Sequence, residues 1–174
     1  MLRTAHTAEL TGAELTVIRA LLDAAFAGEL HDDDWDHGLG GVHAMVTEEG
    51  RLVGHGAVVL RRLLHDGRSL RAGYVELVAV APDRRRRGIA GAVMAALELY
   101  APGFQLLALS ASDDGVRLYE SRGWQRWRGP TSVLTTDGVR RTPDDDGSVY
   151  VLPGSVPVDL DSALTCGWRD GDVW

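Results

Sequence analysis

The stretch Val78-Ala79-Val80-Ala81-Pro82-Asp83-Arg84-Arg85-Arg86-Arg87-Gly88-Ile89-Ala90 joins a strand-like run to a helix-like one. At such a junction the first-turn backbone N–H groups lack intrahelical partners and carry partial positive charge, which suits an anion such as a pyrophosphate. The arginines add formal charge, and the small residues Gly88 and Ala90 let the backbone approach the phosphates. Taken alone, the arginine run reads equally as a solvated basic loop before an ordinary helix.

Other residue types that do chemistry are scattered. Tyr119, in Val116-Arg117-Leu118-Tyr119-Glu120-Ser121-Arg122-Gly123-Trp124, offers a phenolic proton, although by itself it reads as a half-buried core aromatic. Acids gather at His31-Asp32-Asp33-Asp34-Trp35-Asp36, at Asp144-Asp145-Asp146, and at Asp170 and Asp172. Each cluster alone reads as a solvated turn, while three on one short chain keep a cationic ligand in play. Glu76 is either a strand-edge acid or a base. His37 and His43 have no third ligand at suitable spacing, so they read as structural and no metal is expected. Cys166 has no activating base in view, which argues against an acyl-cysteine.

The elements that must position these residues follow from periodicity. Leu15, Ile18, Leu21, Leu22 and Phe26 share one face of a helix near 13–26. Strand-like segments near 42–47 and 52–64 flank Glu49-Gly50 as an antiparallel hairpin, and a third strand runs from Leu70 to Val80. A helix from Gly88 to Leu99 stops at Pro102-Gly103, and a short strand follows from Phe104 to Leu109. Val116, Leu118 and Tyr119 then lie in a short helix ending at Gly123, and the tail alternates strand-like pieces with turns. This order predicts an α/β arrangement around a mixed sheet.

At 174 residues one domain over 1–174 is expected. A net charge of −7 argues against nucleic acid as a partner. No apolar run approaches the roughly 20 residues needed to span a bilayer, so no membrane contact is expected. The first residues carry no secretory pattern, and a lone cysteine fits a reducing, cytoplasmic setting.

The stretch 78–90 resembles the GNAT acetyltransferase pattern V-x-V-x-x-x-x-[Q/R]-x-x-G-x-[G/A], with Arg85, Gly88 and Ala90 at the marked positions. The resemblance implies a mixed, mostly antiparallel central sheet flanked by helices, with strands splayed at an acetyl-CoA site. It implies a pyrophosphate loop of Arg85, Arg86, Arg87, Gly88, Ile89 and Ala90. It also implies that backbone groups of Val78 and Val80 pair with the pantetheine arm and that an N–H there polarises the thioester carbonyl. The block 116–124 is similar to the family's later motif, in which the tyrosine, here Tyr119, protonates the departing thiolate.

Outside these motifs, Trp35, His37, Gly40-Gly41, Gly73-Tyr74-Val75-Glu76, Gly129 to Leu134, Thr142 to Gly147 and Trp168 to Trp174 resemble aminoglycoside 2′-N-acetyltransferases over nearly the whole chain. The acceptor site so implied uses Glu29, Asp34, Glu76, Ser110, Asp145 and the carboxylate of Trp174. Glu76 acts as a base through water, and the Trp174 carboxylate pairs with a substrate ammonium and accepts its proton. Two positions depart from the family pattern: Glu29 stands where Asp is usual, and Leu77 follows Glu76 where Gly is usual. The family also dimerises, so a homodimer is expected.

A polycationic acceptor needs the carboxylates this chain supplies, and its amine must shed a proton before attack. At the lysine reference pKa that costs roughly 4–5 kcal/mol at pH 7. An amino-sugar amine, acidified by neighbouring oxygens and charges, costs less. The alternatives are another amine acceptor (a polyamine, a cell-wall amino sugar or a peptide N-terminus) and a non-catalytic protein that only binds drug or CoA.

Overall fold

A computed structural model describes all 174 residues. The elements in chain order are β1 (Leu2–His6), α1 (Gly12–Ala25), α2 (Asp32–His37), β2 (Val42–Glu48), β3 (Arg51–His65), β4 (Arg68–Val80), α3 (Ile89–Glu98), β5 (Leu106–Ser110), α4 (Val116–Ser121), β6 (Gln125–Arg126), β7 (Thr131–Thr135), β8 (Gly138–Arg141), β9 (Val149–Pro153) and β10 (Leu164–Gly167). Two compact units share the long strands β3 and β4: residues 1–59 with 75–100, and residues 60–74 with 101–174.

In the first unit β1 pairs antiparallel with β2, and β2 with the first half of β3. Thr11 caps α1 by accepting from the Glu14 N–H, and the Glu14 carboxylate answers on the Thr11 N–H. The buried face of α1, with Ile18 and Leu22, meets Ala5, Leu30, Met45 and Ala79, and Trp35 and Leu77 pack against this cluster. α3 buries Ile89, Val93, Met94, Ala96 and Leu97. In the second unit the strand order is β6-β9-β5-β4-β3-β10-β7-β8. The pairs β4–β5 and β10–β7 are parallel, and β5–β9, β6–β9, β10–β3 and β7–β8 are antiparallel. The β4–β5 ladder covers Ala72–Tyr74 against Leu106–Ala108, although β4 runs on to Val80 and β5 to Ser110.

The mixed α/β architecture agrees with the expectation, and two elements exceed it. Residues 32–37 form a helix rather than a solvated turn, because the Asp34 carboxylate accepts the His31 N–H and three acids stand in the positive first turn. Leu2–His6 is a strand because it finds β2 as a partner, from Leu2 opposite Val46 to His6 opposite Val42.

Candidate active site

The loop before α3 is shaped by two left-handed residues, Arg86 at φ +61° and Gly88 at φ +80°. Gly88 is the N-cap of α3, no side chain caps this end, and no acid stands in its first turn. Its N–H groups are therefore left for an anion, whereas α1 has a side-chain cap and α2 an acidic first turn. A Cβ built on Gly88 meets no protein atom within 4 Å, so the space in front of it is open. The four arginines are not uniformly solvated. Arg84 pairs with Glu48 at 3.2 Å, Arg87 lies 4.0 Å from the same carboxylate, and Arg85 donates to the Ala25 carbonyl at 2.8 Å.

β4 supplies Glu76, Val78 and Val80, all partly exposed. The Ala81 N–H is bonded to the Val53 carbonyl on β3 at 2.9 Å, so by strand alternation the Val80 and Val78 N–H groups point away from β3. Between Glu76 and Val78, Leu77 has φ +55°, a left-handed conformation inside a strand. This accounts for glycine being usual there in the resembling family: Leu adopts such a φ only at a cost of roughly 1–2 kcal/mol. Two contacts hold it. Its side chain presses on Gly38, where a Cβ would sit 2.5 Å from Leu77 Cδ1, and its carbonyl accepts from His55 Nδ1 at 3.1 Å. In the same unit Asp34 is half-buried and tied to the His31 backbone, and Glu29 lies exposed between α1 and α2.

In the second unit Tyr119 is buried on α4. Its ring lies against Gly115, where a Cβ would approach Cε2 to 2.7 Å, and 6.1 Å from the Trp124 ring. Burial pushes its phenol up to about 12, so it keeps its proton at any working pH. Ser110, at the exposed end of β5, donates to Ser148 at 3.2 Å, and the Ser148 hydroxyl donates to the Asp145 carbonyl at 2.8 Å. The Asp145 carboxyl is raised by burial and by the acids Asp172, Asp144 and Asp146 around it. The neighbouring Asp146 is engaged structurally, accepting from the Thr131 N–H and hydroxyl and from Arg141.

Trp174 is 5 % exposed and its indole N–H donates to Thr142 Oγ1 at 2.9 Å. Arg169 donates to the Trp174 terminal oxygen at 3.2 Å. Arg61 donates to the carbonyls of Gly167 and Val173 and stacks 4.6 Å over the Tyr74 ring. The Asp145 N–H donates to the Thr142 carbonyl at 3.0 Å, so Ser110, Asp145 and Trp174 are tied into one network through Ser148 and Thr142, while Glu29, Asp34 and Glu76 belong to the first unit. Sequence reading missed His55, Arg61 and Arg169, whose partners lie 22, 106 or 112 and 5 residues away respectively. Only the last spacing lies within a local window.

Residues 6–127 match the acetyltransferase (GNAT) domain model, and the chain belongs to the GNAT acetyltransferases. Over 177 aligned residues it is 49% identical to an aminoglycoside 2′-N-acetyltransferase of Mycolicibacterium fortuitum, covering 99% of this chain and 91% of that protein. Among solved structures it resembles the ribosomal-protein-S18-alanine N-acetyltransferase of Escherichia coli, at 22% identity and a TM-score of 0.58 over 90% of this chain and 96% of that one. It also resembles Eis1 of Mycobacterium abscessus, at 22% identity and a TM-score of 0.57 over 71% of this chain. The match spans 31% of the Eis1 chain, and at these identities both structures speak to the fold alone.

Proposed function

We propose that the chain transfers the acetyl group of acetyl-CoA directly to the 2′-amino group of an aminoglycoside. The observation that carries the acceptor is the near-full-length likeness to an aminoglycoside 2′-N-acetyltransferase. The uncapped start of α3 and the open space before Gly88 support the donor assignment. Acetyl-CoA supplies an activated thioester. The N–H groups of Arg85 to Ala90 hold its pyrophosphate, the Val78 and Val80 backbone pairs with the pantetheine arm, and the Val78 N–H faces the thioester oxygen.

As the family resemblance implies, the acceptor is held by Glu29, Asp34, Glu76, Ser110, Asp145 and the Trp174 carboxylate, whose acids and hydroxyl suit its ammonium groups. Glu76, through water, takes the amine proton, and the Trp174 carboxylate shares that task. The nitrogen lone pair forms the new C–N bond, the C–S bond breaks, and the Tyr119 proton passes to the thiolate. The whole chain acts as one catalytic domain, cytoplasmic and homodimeric. Exposed Leu134, Val139 and Trp168 on and beside the edge hairpin β7–β8 support the dimer.

The test is mass spectrometry after incubation with acetyl-CoA and a panel of amines. The panel holds a 2′-amino aminoglycoside, its 2′-hydroxy counterpart, a polyamine, a cell-wall amino sugar and a peptide with a free N-terminus. One acetyl group on the first compound and none on its 2′-hydroxy counterpart is expected. Acetylation of the 2′-hydroxy compound, or of another member in preference, overturns the assigned position or acceptor. A single-turnover experiment that releases no free CoA would reduce the protein to a binder.

A further inference from the structure

His43 and His55 are both fully buried and form a hydrogen-bonded chain. Thr7 Oγ1 lies 2.7 Å from His43 Nε2, His43 Nδ1 lies 2.9 Å from His55 Nε2, and His55 Nδ1 lies 3.1 Å from the Leu77 carbonyl oxygen. A carbonyl only accepts, so His55 carries its proton on Nδ1. Its neutral Nε2 must then accept from His43 Nδ1–H, which leaves His43 Nε2 to accept from the Thr7 hydroxyl. Every proton in the chain is assigned, and all of them point towards β4. Burial lowers His55 to about 3 and His43 to about 4, so both rings stay neutral and this polarity persists at working pH.

The chain ends on a particular peptide unit. The Leu77 carbonyl and the Val78 N–H belong to the same planar trans amide, so they point in opposite directions. Fixing one fixes the other. A donor on the carbonyl also polarises the amide and strengthens its N–H as a donor, by about 10–30% per bond in condensed-phase estimates. Just before this amide Leu77 stands at φ +55°, a strained angle for leucine, and the rotation about its N–Cα bond that would relieve it carries the Leu77 carbonyl away from His55.

We propose that His55, backed by His43, is a positioning residue for acetyl transfer. Its imidazole N–H clamps the Leu77 carbonyl and holds the Val78 N–H in the direction needed to stabilise the oxyanion that develops on the thioester carbonyl. The clamp does for this chain what a glycine at position 77 does through its freedom at positive φ. The inference rests on the reading of the Val78 N–H given above.

Asparagine places its amide nitrogen, a donor, where imidazole Nδ1 stands, and glutamine reaches with its amide oxygen, an acceptor, to where Nε2 stands. His55→Asn therefore keeps the link to Leu77, and His55→Gln keeps only the link to His43. In steady-state kinetics with acetyl-CoA and a 2′-amino aminoglycoside, His55→Gln is expected to lower kcat at least tenfold with the acceptor KM unchanged, and His55→Asn to stay within threefold of the parent. An oxyanion donor acts on the transition state, so its misdirection appears in kcat. In ¹H–¹⁵N spectra of the free protein, the Val78 amide resonance should move in His55→Gln and return in His55→Asn. Should the glutamine variant not fold, the parent alone decides: a slowly exchanging His55 Nδ1 proton with a through-hydrogen-bond coupling to the Leu77 carbonyl carbon supports the clamp, and its absence overturns it. Equal kcat in the two folded variants, or an unmoved Val78 resonance, also overturns it. If the parent acetylates no amine, the functional reading falls, while the resonance comparison still tests the clamp without substrate.

Discussion

In the proposed phosphate loop, Gly88 is the residue at which backbone and ligand make the same demand. Its φ of +80° alone costs a β-branched side chain roughly 1–3 kcal/mol. The empty space around its Cα means that a new side chain meets no protein, only what binds there. Gly88→Val is expected to weaken acetyl-CoA binding at least tenfold by calorimetry and to lower Tm modestly. Gly88→Ala carries the same sign of φ with a smaller obstruction and should fall between. Unchanged affinity in a folded Gly88→Val protein would dismiss the phosphate loop. These residues were legible in the sequence because their chemistry is local: a loop, a helix start and a small residue in consecutive positions. Tyr119 was legible for the same reason, through the motif around it. His55 was not, because its meaning depends on a partner 22 residues away and on a backbone angle that no side-chain pattern encodes.

At the scale of elements, periodicity located α1, the β2–β3 hairpin, β4, α3, β5 and α4, each with enough apolar positions to set a repeat. β1 has only Leu2 and Ala5 on which to build an alternation, and α2 is acidic throughout save for Trp35 and His37. Pairing and capping, not pattern, make those two elements. The histidine chain inside the first unit gives this sheet an acid sensitivity with a definite sign. Both imidazoles sit below their ordinary 6.5 when folded, at about 4 and about 3, so the unfolded chain binds more protons between those values and 6.5. The stability they confer is complete above 6.5 and drains as the pH falls through that value towards 4. Carboxylates act later: Glu14, held to about 2 by the Thr11 N–H and Arg3, loses its contribution only as the pH falls below 4.5. Thermal melts from pH 7.5 to 4.5 should therefore show Tm declining already between 6.5 and 5. A Tm that is flat in that window would mean that the pair accepts protons without cost.

On the scale of the whole molecule, the net charge of −7 is spent in two ways. Asp32, Asp146 and Asp161 are paired with Arg19, Arg141 and Arg128, as solvated turns alone would not require. Asp145 instead has its carboxyl raised by burial first and then by the acids Asp172, Asp144 and Asp146 around it, a local negative potential that favours the arrival of a cation. Composition gave the sign of the charge but not this division, since pairing is a property of the folded surface. The Trp174 ring is buried, and of the two arginines that grip the tail, Arg61, 106 and 112 residues from its partners, gave no local signal.

That grip makes the sole cysteine a clock. The Cys166 thiol is buried, donates to the Val173 carbonyl at 3.2 Å, and has its ionisation raised by burial, so a reagent that needs a thiolate must wait for the tail to lift. Alkylation of the native protein then counts openings of residues 167–174, one event per molecule, with no competing site. Its rate should be at least a hundredfold below that in urea, which corresponds to an opening free energy of about 2.7 kcal/mol. Arg61→Ala, which releases the Gly167 and Val173 carbonyls, should quicken it several-fold. A native protein that is alkylated as fast as the denatured one would mean that the tail is never shut. If the clock runs slowly and an aminoglycoside slows it further, the drug is being read by the end of the chain, and thiol chemistry becomes an assay for acceptor binding that requires no turnover.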